Sequence, residues 1–226
     1  MSPTQRKLIV TFSIHSLLAV MLLIIIQLSD FDVWVSNQFF IPESNQFLLQ
    51  KYANVGTHFH DLSKIFFIFI GMIFWYISLT HFFKKEWFIK KSTLKKINFI
   101  SIMSILIPII ILVIRDTSLS HCPRDLTIFG GYYEYFKLLN IGASGLTPGH
   151  CNPSSHAASF VWLLAVPWVF TSGVVRLRYY LLTLLFAILM SSVQISRGAH
   201  FLSHILWSAW IASLIITLCY DIYFRE

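Results

Sequence analysis

The stretch INFISIMSILIPIIILVI, residues 97 to 114, runs through eighteen positions without a charged side chain. About 20 apolar residues in a helix cross a hydrocarbon core about 30 Å thick, so its length decides the class of fold. Comparable runs lie at Leu8 to Leu28, Ile65 to Phe83, His156 to Phe170, Tyr180 to Ile195 and Phe201 to Tyr220, which makes six spans with Ile97 to Ile114. Composition agrees: 56% of the 226 residues are apolar and only 12% are charged, against roughly a quarter charged in soluble domains. Pro108 sits inside the quoted run, and membrane helices tolerate proline. The fourth run is interrupted by Pro167 and starts in a polar cluster. The sequence predicts an all-α polytopic membrane protein, a single domain over residues 1–226 built as a six-helix transmembrane bundle.

The first run follows MSPTQRK and has the look of a signal peptide, but it is too long, and LSDFDVW offers no small-x-small cleavage site. A retained anchor is expected. With the N-terminus inside, 11 of the 17 basic residues fall on the inner side, including most of KKEWFIKKSTLKK at 84–96. That bias puts both termini in the cytoplasm. Topology accounts for the net charge of +7, and a short basic loop between spans anchors at anionic headgroups, so a nucleic-acid partner is not expected.

Two long segments remain outside. FDVWVSNQFF, residues 31–40, reads either as an interfacial helix or as an irregular covered loop. Residues 115–153 are rich in glycine and turn formers and elaborate the outer face. There is no internal repeat.

Of nine histidines, His121, His150, His156, His200 and His204 gather at the outer ends of the last four spans, with Arg115, Arg124, Arg197, Ser154 and Ser155 beside them. Ionisable groups at membrane depth are costly and usually have a task. Guanidinium forks match phosphate oxygens, and NPSSHAAS at 152–159 reads as a helix start, capped by Asn152 or Ser154, that favours an anion. One imidazole can attack phosphorus while another protonates the leaving oxygen, which suffices for phosphoryl transfer without a metal or other cofactor.

Three stretches carry a resemblance. RDTSLSHCP (115–123), PSSH (153–156) and HFLSH (200–204) follow the order K-x6-R-P, P-S-G-H and S-R-x5-H-x3-D. The chain resembles the type 2 phosphatidic acid phosphatase superfamily, membrane relatives of bacterial acid phosphatases and vanadium haloperoxidases, over about residues 115–204. The resemblance implies His200 as the nucleophile that forms a phosphohistidine and His156 as the general acid. Arg115, Arg197, Ser154, Ser155 and Arg124 would hold phosphate, and His204 or Asp125 would set the tautomer of His200. It also implies a bacterial inner-membrane enzyme whose site faces the periplasm and whose substrate is a phosphorylated lipid. Phosphatidate, phosphatidylglycerophosphate, an isoprenoid diphosphate and lipid A are all compatible, as is transfer to a second lipid.

The departures are specific. Arg115 stands for lysine, Cys122 for arginine, Ser155 for glycine, Gln194 for the arginine of the third motif and His204 for aspartate. Arg124, Arg197 and Asp125 are the nearby replacements. Cys122 and Cys151 flank the first two motifs, where an oxidising exterior permits a disulfide. The chemical rival is zinc, since His200 and His204 have ligand spacing and His150, Cys122 or Cys151 could join them; the absence of H-E-x-x-H and the nearby arginines argue against it. The functional rival is a lipid-phosphate binder or flippase on the same scaffold. No motif fixes an oligomeric state.

Overall fold

The structure, a computed structural model, describes residues 3–83, 89–137, 139 and 147–224. Residues 84–88 of the basic loop and 140–146 of the second outer segment lie outside the described residues. The helices are α1 (Pro3–Leu28), α2 (Phe31–Asn37), α3 (Leu48–Lys51), α4 (Ala53–Phe83), α5 (Lys91–Asp116), α6 (Ser155–Val161), α7 (Ala165–Phe170), α8 (Gly173–Ser196) and α9 (Leu202–Tyr223).

Among the described residues five helices, α1, α4, α5, α8 and α9, are long and apolar enough to cross a membrane. The protein is therefore an all-α polytopic membrane protein. The fourth expected span is instead a shorter apolar run, Ser155–Phe170. It is not one helix: a 3-10 turn at Trp162–Leu164 separates α6 from α7, and Pro167 falls in the first turn of α7, where its missing N–H costs least. Pro108, by contrast, lies inside an α5 that continues to Asp116. α2 gives the helical reading of residues 31–37, and a small antiparallel hairpin follows, β1 (Phe40–Ile41) paired with β2 (Gln46–Phe47). α4 begins at Ala53, well before Ile65, so His58, His60 and Lys64 are helical rather than in a loop.

α5 is the hub. Ile100, Met103, Ile107 and Ile111 recur along one of its faces and are buried, packed with Ala157, Ala158 and Val161 of α6 and Ala209, Ala212 and Ile216 of α9. Lipid tails are as apolar as leucine, so close contact through small side chains drives this packing. The long helices keep most of their apolar surface outside: only 11% of the α1 window, 17% of the α4 window and 6% of the α8 window is buried. Such surface is an association hazard in water and a normal contact in lipid.

Polar pins fix the outer end. The buried Asp32 carboxylate accepts the backbone N–H of Ser203 at 2.9 Å, placing a negative charge on the first turn of α9. Burial raises the pKa of Asp32, and the Ser203 hydrogen bond opposes that rise. Deeper in, Trp210 Nε1 donates to the carbonyl of His15 at 2.9 Å and ties α9 to α1.

Candidate active site

α6 starts where NPSSH predicts, with Ser154 rather than Asn152 as the cap. Its Oγ accepts the Ala157 N–H at 3.2 Å, its own N–H donates to the His204 carbonyl at 3.0 Å, and its carbonyl accepts the Ser208 hydroxyl at 3.0 Å. Ser154 is fully buried by these bonds and does not line the cavity described below. The expectation that it holds phosphate is corrected: its hydroxyl is committed to the helix start. Ser155 points the other way, and its Oγ accepts from Arg115 Nη1 at 2.9 Å. Arg115 Nη2 meets Asp116 at 3.0 Å.

The chain then turns sharply between α8 and α9. Gly198 has φ +63, and a Cβ there would come within 2.3 Å of the Phe47 ring, so only glycine fits. Its carbonyl accepts the Arg124 N–H at 2.9 Å, which joins this turn to the loop after α5. Arg197 ends α8 and donates from Nη1 to Gln194 Oε1 at 3.3 Å, so both of these positions serve the same side. His200 precedes α9, which begins at Leu202. His200 and His204 therefore do not share a helical face, and their rings meet edge to face at 5.8 Å between centroids.

A disulfide joins Cys122 to Cys151, with Cα atoms 5.3 Å apart. The carbonyl of Cys151 lies 3.1 Å from His200 Nδ1. A carbonyl oxygen only accepts, so Nδ1 carries the proton and the lone pair rests on Nε2. The partner on this nitrogen is thus a backbone carbonyl, neither His204 nor Asp125. Burial, then the neighbouring His204, push the pKa of His200 well below 6.5; the Cys151 bond opposes this, and Arg124 and Arg115 add to the lowering. Desolvation wins, and the imidazole is held neutral.

These elements enclose a cavity of about 770 Å³ between α4, α5, α6 and α8. Arg115, Arg124, Arg197, Ser155, His156 and His200 line its polar end. The other end is apolar, walled by Phe67, Ile68 and Met72 of α4 and by Ile105, Ile109 and Leu112 of α5. His156 is buried with neither ring nitrogen hydrogen-bonded, and the same is true of Arg115 Nε and Gln194 Nε2. Unpaired buried polar atoms are costly, and four of them around one cavity mark a place prepared for a polar ligand.

Two expected residues are elsewhere. His204 is buried behind the site beside Ser120, whose Oγ lies 3.5 Å from its Nε2, and it does not line the cavity. The Asp125 carboxylate lies 3.8 Å from Arg124 and is likewise outside the lining. His60 and Lys64 of α4 line the cavity without having been expected there, and His150, expected in the histidine cluster but given no role in holding phosphate, lines it too. The first two were legible as part of a one-sided stripe, His60, Lys64, Phe67, Gly71 and Trp75, at helical spacing. A third, His121, stacks on Tyr133 at 3.8 Å and bonds the Thr147 carbonyl at 3.1 Å, which is a role in the loop.

Cys122, Cys151 and His200 bring their donor atoms within 4.8 Å of one another, close enough to surround a cation. With both sulfurs in the disulfide neither is a thiolate, and the triad does not suit zinc in this oxidation state.

The sequence matches the PAP2 superfamily over residues 96–226, more than half of the chain, and the protein belongs to that family. Its members are phosphatases, which places the chain among phosphoric ester hydrolases acting on phosphorylated substrates. Comparison with curated proteins and with solved structures gave no match.

Proposed function

We infer that the protein is a lipid phosphatase working at the outer face of a bacterial inner membrane, on six spans with Ser155–Phe170 as the fourth and both termini in the cytoplasm. The observation that carries this reading is the two-ended cavity: unpaired phosphate-binding groups at one end and an apolar groove between α4 and α5 at the other. A phosphorylated headgroup fits the first and its hydrocarbon chain the second.

In this reading His200 Nε2 attacks phosphorus in line with the leaving oxygen. Arg115, positioned by Ser155, joins Arg197 and Arg124 on the equatorial oxygens as negative charge develops there. His156 gives its proton to the leaving oxygen and then takes a proton from the water that attacks the phosphohistidine, so phosphate is released and both imidazoles return to their starting states.

The test is phosphate release from lipid phosphates by the purified protein, with and without a chelator, beside His200→Ala and His156→Ala. Release that resists chelation and is lost in both variants supports the reading. Loss on chelation favours zinc chemistry, and binding without turnover favours the binder or flippase.

A further inference from the structure

The acid of the proposed reaction, His156, has no hydrogen bond on either ring nitrogen. It meets Phe160 edge to face, centroids 5.6 Å apart, and that ring offers nothing to a charged imidazole's N–H groups. Its other ring contact is a stack on His60 of α4, centroids 4.7 Å apart and planes 25° from parallel. His60 Nδ1 donates to Asp61 Oδ1 at 2.8 Å, so a carboxylate is attached to the stack. Both residues lie outside the stretch matched by the family and outside the three motifs.

The charges around the rings decide what this contact does. Arg115, Arg124, Arg197, Lys64 and His200 line the cavity together with His60 and His156, and no carboxylate is among the described residues that line it. A proton on His156 therefore has no counter-charge in the cavity wall itself. Three of the lining bases instead pair with carboxylates outside the lining: Arg115 with Asp116 at 3.0 Å, Arg124 with Asp125 at 3.8 Å and His60 with Asp61 at 2.8 Å. The two guanidinium groups are charged whatever stands beside them. An imidazole is not, so its carboxylate partner decides how readily it holds a proton. Arg197 and His58 also act on Asp61, more weakly than its bond to His60 does. A plain surface pair of His60 and Asp61 accounts for the 2.8 Å bond, but not for a ring stacked on the acid of the site.

We propose that Asp61, His60 and His156 act as one proton-donating unit: the carboxylate balances the single positive charge that the two stacked rings share, and His156 delivers the proton. This rests on the phosphatase reading above. Asp61 and His60 are positioning residues, acting through His156. The stack carries one such charge, since two adjacent imidazolium rings repel. As the P–O bond breaks, its electron pair goes to the leaving oxygen, and the N–H bond of His156 breaks while an O–H bond forms. The unit then takes a proton from the water that attacks the phosphohistidine and returns to its starting charge. Its value depends on the leaving group: an alkoxide is too basic to depart without a proton, whereas a thiolate departs without one.

The test uses two matched probes on full-length protein in detergent: dioctanoyl phosphatidate, or another lipid phosphomonoester that the wild type hydrolyses, and the same ester with sulfur in place of its bridging oxygen. Asp61→Asn and His60→Gln are each expected to lower kcat/KM for the oxygen ester at least tenfold and for the sulfur ester less than threefold. The double variant should fall no further than the worse single one, because members of one unit are not additive. Asp61 has 60% of its side chain exposed, so Asp61→Asn folds, and a thermal melt checks this. Equal losses on the two esters, or oxygen-ester turnover within threefold of wild type in Asp61→Asn, overturn the proposal while the phosphatase reading stands. Release from no lipid phosphate by the wild type overturns both.

Discussion

The Nδ1 of His200 lies 3.1 Å from the carbonyl oxygen of Cys151, the residue whose sulfur is bonded to Cys122. The disulfide that closes the outer loop therefore also positions the group that fixes the tautomer of the proposed nucleophile.

Reducing that disulfide is expected to loosen both the loop and His200. The two cysteines are 29 residues apart in sequence, and a closed loop of that length is worth roughly 3–4 kcal/mol in the chain-entropy account. Thermal unfolding in detergent, with and without reductant, should show a clear loss of Tm in the reduced wild type and none in a Cys122→Ser, Cys151→Ser protein. Phosphatase activity should fall about tenfold or more on reduction, since a 1.4 kcal/mol loss of positioning already gives that factor. An unchanged Tm contradicts the structural role.

The pH profile follows from burial. The pKa of His200 in the folded protein is shifted below 6.5, so the nucleophile stays unprotonated at pH values where a free imidazole would be charged. The acid limb of kcat/KM that belongs to His200 should lie below pH 6.5. Below pH 6.5 the unfolded chain takes up a proton at this position that the folded chain does not. The contribution of His200 to stability is thus fully present above pH 6.5 and is lost as the pH falls toward the folded pKa. His200→Asn should flatten that part of the curve, and an unaltered slope would speak against a neutral, buried His200.

Adjacent serines should behave differently. Ser155→Ala removes the acceptor for Arg115 Nη1, a bond to a charged group worth about 1.5–3 kcal/mol, so kcat/KM should fall roughly 10- to 100-fold with little change in Tm. Ser154→Ala removes the α6 cap and should cost about 1 kcal/mol of stability while kcat/KM stays within about threefold. Paired kinetics and thermal melts check both, and the reverse pattern would return Ser154 to the phosphate site.

Hydropathy made the long helices legible because a span must be apolar throughout its length, whatever packs on it. The start of α6 was legible too, since a capping hydroxyl is a local device read from neighbouring residues. What failed depended on where helices begin. His200 and His204 looked like one helical face by spacing, but α9 starts at Leu202, after the Gly198 turn, and His204 points away. His60 and Lys64 precede the apolar run from Ile65 and are legible only through their helical spacing with Phe67, Gly71 and Trp75; α4 runs through them, and the apolar span begins at His60. The disposition of Asp125, His204 and Cys151 around His200 is tertiary, and no local pattern encodes it.

The most direct test of the central claim is to quench turnover of a radiolabelled lipid phosphate within milliseconds and locate the label on the chain. The expected result is an acid-labile, alkali-stable phosphoryl group on His200, absent in His200→Ala, whose phosphate release is also lost. Label on another residue, or steady release by His200→Ala, would contradict it.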